Sequence, residues 1–178
     1  MLKMEYEFPE GVSASIEGGK LIVKGKKGQL ERPMVFPRIN AVMEGSKIVI
    51  QSDKDEKRIK AIMGTWQALA GWMSGGVTKG WKCQLRLVYS HFPVKLKMEG
   101  NVLVIENFLG ERQKRTVVID KEVKIEINGN DIMLTGIDKE KVGQAGALIE
   151  QKVTVKKFDR RIFQDGIYKI GDTELIEE

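Results

Sequence analysis

The 178 residues contain one cysteine and one histidine. A single thiol, Cys83, excludes an intramolecular disulfide and leaves no cysteine cluster for structural zinc. With His91 as the only imidazole, there is no H-E-x-x-H pattern, and a catalytic pair of Cys83 and His91 lacks any surrounding residues that would activate it. Long apolar runs are also missing. The uncharged stretch from Ala61 to Val77 is shorter than the ~20 residues a membrane span needs, is glycine-rich, and contains Gln67 and Ser74. The opening Met1-Leu2-Lys3-Met4-Glu5-Tyr6-Glu7 places acidic residues where a secretory signal requires an apolar core, so a cytoplasmic location is expected. Gly25-Lys26-Lys27-Gly28 is too short for a phosphate-cradling loop and lies between strand-like runs, which makes it a lysine-rich hairpin turn.

Against these absences, 42% apolar and 31% charged residues describe a chain able to build a core. The net charge of +5 favours anionic partners. Residues 1–90 carry 15 basic and 9 acidic side chains, whereas residues 91–178 carry 15 and 16. The second half is polarised: Lys152, Lys156, Lys157, Arg160 and Arg161 cluster with Asp159 alone among them, while the end holds Asp172, Glu174, Glu177 and Glu178.

The chain also repeats itself. Val12 to Gly18 is answered by Val94 to Gly100, Leu21-Ile22-Val23 by Leu103-Val104-Ile105 and Gly28 by Gly110, all at an offset of 82. Gly45 to Ile50 is answered by Gly129 to Leu134 at an offset of 84, which a two-residue insertion explains. Alternating β-branched runs broken by Gly18-Gly19, Gly45, Gly100 and Gly129 predict antiparallel hairpins. In each half the period then lengthens to that of a helix. Ile59, Ile62, Met63, Trp66, Leu69, Ala70 and Met73 form one stripe behind a capping box of Ser52 and Asp55, with Trp72 at its rim. Val142, Ala145, Leu148, Ile149 and Val153 form the other behind Asp138 as N-cap, and Gly143 and Gly146 there signal close approach to a sheet or a ligand. The expected fold is α+β: two tandem copies of a small domain, each an antiparallel sheet packed with one main helix. The seam is expected near Ser90, giving domains 1–90 and 91–178.

The candidate functional residues are cationic and backbone-polar. Arg112, Lys114 and Arg115 follow Gly110, as a solvated hairpin or a phosphate contact. The segment from Lys152 to Tyr168 combines five cations with Phe158, Phe163 and Tyr168, and such aromatics either stack on unpaired bases or plug the core.

Five motifs in order resemble ribosomal protein six of the large subunit, in its archaeal and eukaryotic form. They are Lys79-Gly80-Trp81 ahead of Leu85-Arg86-Leu87; His91-Phe92-Pro93-Val94; Asn107-Phe108-Leu109-Gly110-Glu111; Val142 to Ile149; and Phe158 to Tyr168. The resemblance runs from about Pro9 to Ile170. It implies a ribosomal constituent with two tandem copies of one domain, no enzymatic activity, no cofactor, no membrane association and no small-molecule substrate. Its implied partners are large-subunit ribosomal RNA, held mainly by the second domain near the sarcin-ricin loop and the factor-binding side, and neighbouring ribosomal proteins. Lys156, Lys157, Arg160 and Arg161 are carried over as phosphate contacts, with Asn107, Gly110, Gln144 and Gly146 as close-approach positions; Lys152, Arg112, Lys114 and Tyr168 complete the expected RNA-binding set. The acidic end, from Gly171 onward, is expected to project away or meet a basic neighbour. The alternative is a free-standing two-domain protein-interaction module, and a small hydrolase is supported only by the presence of carboxylates. Salt dependence separates RNA binding from the interaction module, because phosphate-dominated affinity falls by orders of magnitude between low and moderate salt.

Overall fold

Six strands precede one helix in the first half: β1 (Leu2–Glu7), β2 (Ser13–Glu17), β3 (Lys20–Gly25), β4 (Gly28–Pro33), β5 (Ile39–Glu44), β6 (Lys47–Ser52) and α1 (Lys57–Thr78). The structure is a computed structural model and describes residues 2–177. Its chain divides into two compact units that part between Gly80 and Trp81. In the first unit β2-β3-β4 and β1-β6-β5 are separate three-stranded antiparallel sheets. Alternation decides which residues turn inward: Leu21, Val23, Ile48 and Ile50 are buried, and α1 contributes Ile59, Met63, Trp66, Ala70, Met73 and Val77. Fully burying side chains of this size contributes roughly 1.5–3 kcal/mol each, so the helix is held by its stripe more than by propensity.

The capping box expected at the start of α1 does not form. Ser52 ends β6, where its hydroxyl donates to the Arg38 carbonyl at 2.8 Å and accepts from the Lys54 N–H at 3.3 Å. The hydroxyl is therefore used by the strand end, and the helix begins at Lys57 behind Glu56, which makes no side-chain cap. Trp72 is 42% exposed, the rim position its spacing predicts.

The second unit runs β7 (Trp81–Val88), β8 (Lys95–Glu99), β9 (Val102–Glu106), β10 (Arg115–Val118), β11 (Lys124–Asn128), β12 (Asp131–Gly136), α2 (Lys139–Lys152) and β13 (Gly166–Leu175). Its sheets are β8-β9-β10 and β11-β12-β7-β13, all antiparallel pairs. The order reproduces the first unit with β7 in the place of β1: Tyr6 lies opposite Ile48, and Leu85 lies opposite the equivalent Ile132. β7 is thus the opening strand of the second copy. Its partners β12 and β13 and the buried row Trp81, Cys83, Leu85 and Leu87 all belong to that unit, which places the division ahead of β7 and not after it at Ser90.

Asp138 caps α2, its carboxylate accepting from the Glu140 N–H at 3.0 Å. Val142, Ala145, Ile149 and Val153 are buried, but Leu148 is 39% exposed and lies outside the stripe. The C-terminal residues Gly171 to Leu175 do not project. They continue β13 past a register shift, with Glu174 opposite Lys82 and Leu175 opposite Trp81.

The two helix glycines differ. A Cβ on Gly146 would sit 3.1 Å from the Cys83 sulfur and 3.7 Å from Leu134, whereas one on Gly143 would meet only Thr173 Oγ1 at 3.7 Å. Gly146→Leu is therefore expected to lower stability by about 1–3 kcal/mol through overpacking. Gly143→Ala is expected to raise it by about 0.5–1 kcal/mol. Thermal melts of the two variants check the opposite signs.

Candidate nucleic-acid interface

Laying the two copies on each other by hydrogen-bond register shows where the second was extended. Val23 pairs with Leu30 across the β3–β4 hairpin, seven positions apart, while Ile105 pairs with Arg115 across β9–β10, ten apart. The two-residue turn at Lys26-Lys27 thus becomes the loop Asn107 to Lys114. This loop folds as a short 3-10 turn, Phe108–Gly110, with Asn107, Leu109 and Gly110 all at left-handed φ of 61°, 51° and 74°. Such a conformation costs a non-glycine residue about 1–3 kcal/mol. Burial of Phe108 and Leu109 offsets it, and the Asn107 side-chain amide donates to the Pro93 carbonyl at 3.0 Å. Phe92 packs against Gly110, where a Cβ would lie 3.1 Å from its ring. Asn107 and Gly110 accordingly shape the loop.

Arg115 occupies the register position of the buried Leu30 and has a side chain only 14% exposed. Its guanidinium makes four hydrogen bonds. Nε and Nη2 donate to Glu111 at 2.8 and 2.7 Å, Nη1 donates to the carbonyls of Lys152 and Thr154 at 2.8 and 3.1 Å, and the group lies 4.5 Å over the Phe108 ring. Read from sequence as one of three hairpin cations, Arg115 is instead the clasp that fastens the loop to the end of α2 and to the strap of residues 153–165 that follows.

The clasp brings two cationic segments together. Lys114 from the loop and Lys152 and Lys156 from the helix end and strap line one open concavity of about 430 Å³, with Gln113, Thr116 and Gln151 beside them. Arg115 holds the Glu111 carboxyl below the usual carboxylate range, and Lys156 and Lys157 lower it further. Lys114 is bonded to Glu106 at 2.8 Å, which raises its pKa and neutralises part of its charge. Lys152, Lys156, Lys157, Arg160 and Arg161 are all exposed, and none has an ion-pair partner among the described residues. Arg112 is exposed on the loop.

Arg160 and Arg161 are not on a strand. Asp159 accepts from the Arg161 N–H through its side chain at 2.9 Å and from the Ile162 and Phe163 N–H groups through its carbonyl, forming a tight turn that leaves both arginines exposed. Phe163 packs between His91 and Phe158, with ring centroids 5.0 and 4.7 Å away. Phe158 itself is 45% exposed. Tyr168 is exposed on β13, and its hydroxyl donates to the Gln164 carbonyl at 2.9 Å. Arg160, Phe163 and Tyr168 border a second concavity of about 180 Å³ that also contains Asp165.

Gly146 is not at this surface: it is buried against Cys83 in the sheet, so its close approach is to protein. Gln144 is exposed on α2 but borders neither concavity. Cys83 is buried, which pushes its thiol pKa up, while His91 is exposed beside Phe163; the two share no site. Among the described residues no cluster of His, Cys, Asp or Glu is placed to hold a metal ion, and no helix is long and apolar enough to cross a membrane.

The family described as ribosomal protein L6 matches the sequence twice, over residues 8–80 and 92–166. The chain is similar to the large ribosomal subunit protein uL6 of Methanocella arvoryzae, with 43% identity over 165 residues covering 92% of this chain and 93% of that protein. It is similar to the uL6 of Methanosarcina mazei at 44% over 162 residues, covering 91% and 92%. The uL6 of Methanococcus vannielii matches at 39% over 168 residues, covering 94% and 92%. With a duplicated framework matched in both copies and relatives aligned over most of their length, the chain belongs to the ribosomal protein L6 family, structural constituents of the large ribosomal subunit.

Proposed function

We propose that the chain binds large-subunit ribosomal RNA mainly through its second unit, near the sarcin-ricin loop and the factor-binding region, with neighbouring ribosomal proteins as further contacts. The observation that carries this reading is the Arg115 clasp, which joins the loop and the strap into one cationic concavity. Lys152, Lys156, Lys157, Arg160 and Arg161 form no ion pair with an acidic side chain among the described residues. Phosphate oxygens are the acceptors such groups lack. The position near the sarcin-ricin loop rests on the family resemblance.

Several first-half cations are used within their own unit. Lys20 pairs with Glu31 at 3.5 Å, Arg38 with Glu56 at 3.8 Å and Lys47 with Glu7 at 3.1 Å, while Lys27 donates to the Lys79 carbonyl. The larger positive charge of the first half is therefore a weaker guide to RNA than the smaller, unneutralised set on the strap.

Binding of a large-subunit ribosomal RNA fragment across a salt series tests the reading. Lys152→Ala with Lys156→Ala, and separately Arg160→Ala with Arg161→Ala, should each make the slope of log K against log salt shallower by roughly 1.4–1.8, at about 0.7–0.9 per phosphate lost. Affinity should fall for all RNA sequences alike, with circular dichroism unchanged. Slopes that stay at the wild-type value in both variants would remove the strap from the interface.

The clasp also predicts a pH dependence. Glu111 has a lowered carboxyl pKa in the folded chain, so its contribution to stability is present above about 4.5 and disappears as the pH falls through the lowered value. Glu111→Gln should lower the thermal midpoint at neutral pH by an amount corresponding to about 1 kcal/mol or less, since the carboxylate is partly exposed. The gap between variant and wild type should close on acidification below about 4.5, and a gap that stays constant would show that the pair contributes nothing to stability.

A further inference from the structure

Asp165 is 1% exposed, and neither of its carboxylate oxygens has a hydrogen-bond partner among the described residues. A buried carboxylate left in this state is costly. It lies in the concavity of about 180 Å³ bordered by Val153, Val155, Arg160, Phe163 and Tyr168, just before β13 begins. The phosphate contacts described above do not use it.

We infer that this concavity receives an unpaired guanine base of the bound RNA, with Asp165 accepting its N1–H and N2–H. The inference rests on the RNA-binding reading and specifies a base contact within it. Two adjacent acceptors call for two adjacent donors. Among the four bases only guanine carries two neighbouring N–H groups on its Watson–Crick edge; adenine, cytosine and uracil each set a donor beside an acceptor. The walls suit a flat ring, because the Phe163 ring and the Arg160 guanidinium are both planar groups on which unpaired bases stack. An arginine or lysine from a protein partner would satisfy the same carboxylate but would have to approach past Arg160, which borders the concavity and repels it while attracting RNA. Since Asp165 is closed to solvent in the free chain, the base enters by parting Arg160 and Phe163, which belong to the strap and not to the sheet.

Three heptanucleotides test this: a uridine oligomer with guanosine, inosine or adenosine at its centre, each titrated by fluorescence anisotropy across a salt series. The wild-type chain should prefer guanosine to adenosine by roughly tenfold, the order expected of a good bidentate base contact. Inosine, which lacks the 2-amino group, should fall between them. Asp165→Asn should bind all three at the adenosine level with the wild-type salt slope, and circular dichroism controls its fold. The wild-type ranking alone decides the matter if that variant does not fold. Equal affinity for all three oligomers with a normal salt slope would overturn the guanine contact and leave the phosphate reading standing. Absence of salt-dependent binding to any oligomer would remove both. An arginine-rich peptide that binds wild type but not Asp165→Asn, without any guanosine preference, would assign the pocket to a protein partner instead.

Discussion

The second unit depends on Arg115. A charged side chain has replaced an aliphatic one at a core register, a change that is destabilising unless the guanidinium finds hydrogen-bond acceptors there. Here the bidentate Glu111 pair and the carbonyls of Lys152 and Thr154 supply them, and the Phe108 ring supplies the packing that Leu30 finds in the first copy. Those acceptors come from the loop, the end of the helix and the start of the strap. The guanidinium therefore needs all three in place, and all three are held by it. Without it the cations of the loop and those of the strap would belong to two independent surfaces.

What the duplication carries and what it leaves out follow a simple division. Strand order, sheet pairing and the helix recur because each unit buries its own sheet faces and helix stripe in its own core, where most positions hold apolar residues. The lengthened loop, the strap and β13 have no counterpart in the first unit, and they hold nearly all of the cations and exposed aromatics assigned to RNA. A surface needs no core complementarity, so new chemistry accumulates where the repeat is silent.

This division also explains what could be read in the sequence. Strand alternation, the glycine turns, the Asp138 cap and the two-copy architecture are local or periodic signals, and they were legible. The seam was not. β7 alternates as well as any strand, and only its hydrogen-bond partners, more than 40 positions later at β12 and more than 70 later at β13, show that it opens the second copy. The clasp was hidden for a related reason: aligning the copies on Gly28 and Gly110 keeps the offset at 82 and sets Arg115 among exposed hairpin residues, whereas the pairing of Ile105 with Arg115 sets it opposite a core strand. Gly146 signals close approach to a sheet or a ligand without saying which, and only the packing against Cys83 decides for the sheet. Asp165 gave no signal at all, since burial of one carboxylate between a strap and a strand is a tertiary fact.

The same pairing logic accounts for an asymmetry between the copies. A sheet edge with unpaired N–H and C=O groups invites association with another chain. In the second unit β13 covers the outer edge of β7 along most of its length. In the first unit, among the described residues, β1 pairs only with β6, and its other edge is handled by side chains: Gln67 from α1 donates to the Glu5 carbonyl at 2.8 Å, while Lys3 and Glu5 form an ion pair at 2.6 Å. Charged residues alternate along that short strand, which discourages a further strand from docking. Beyond covering the edge, β13 ties the strap at its far end, since Arg115 fastens it only near Thr154. The extra strand of the second copy thus serves both tasks, closing the sheet and holding the strap that carries the proposed RNA contacts.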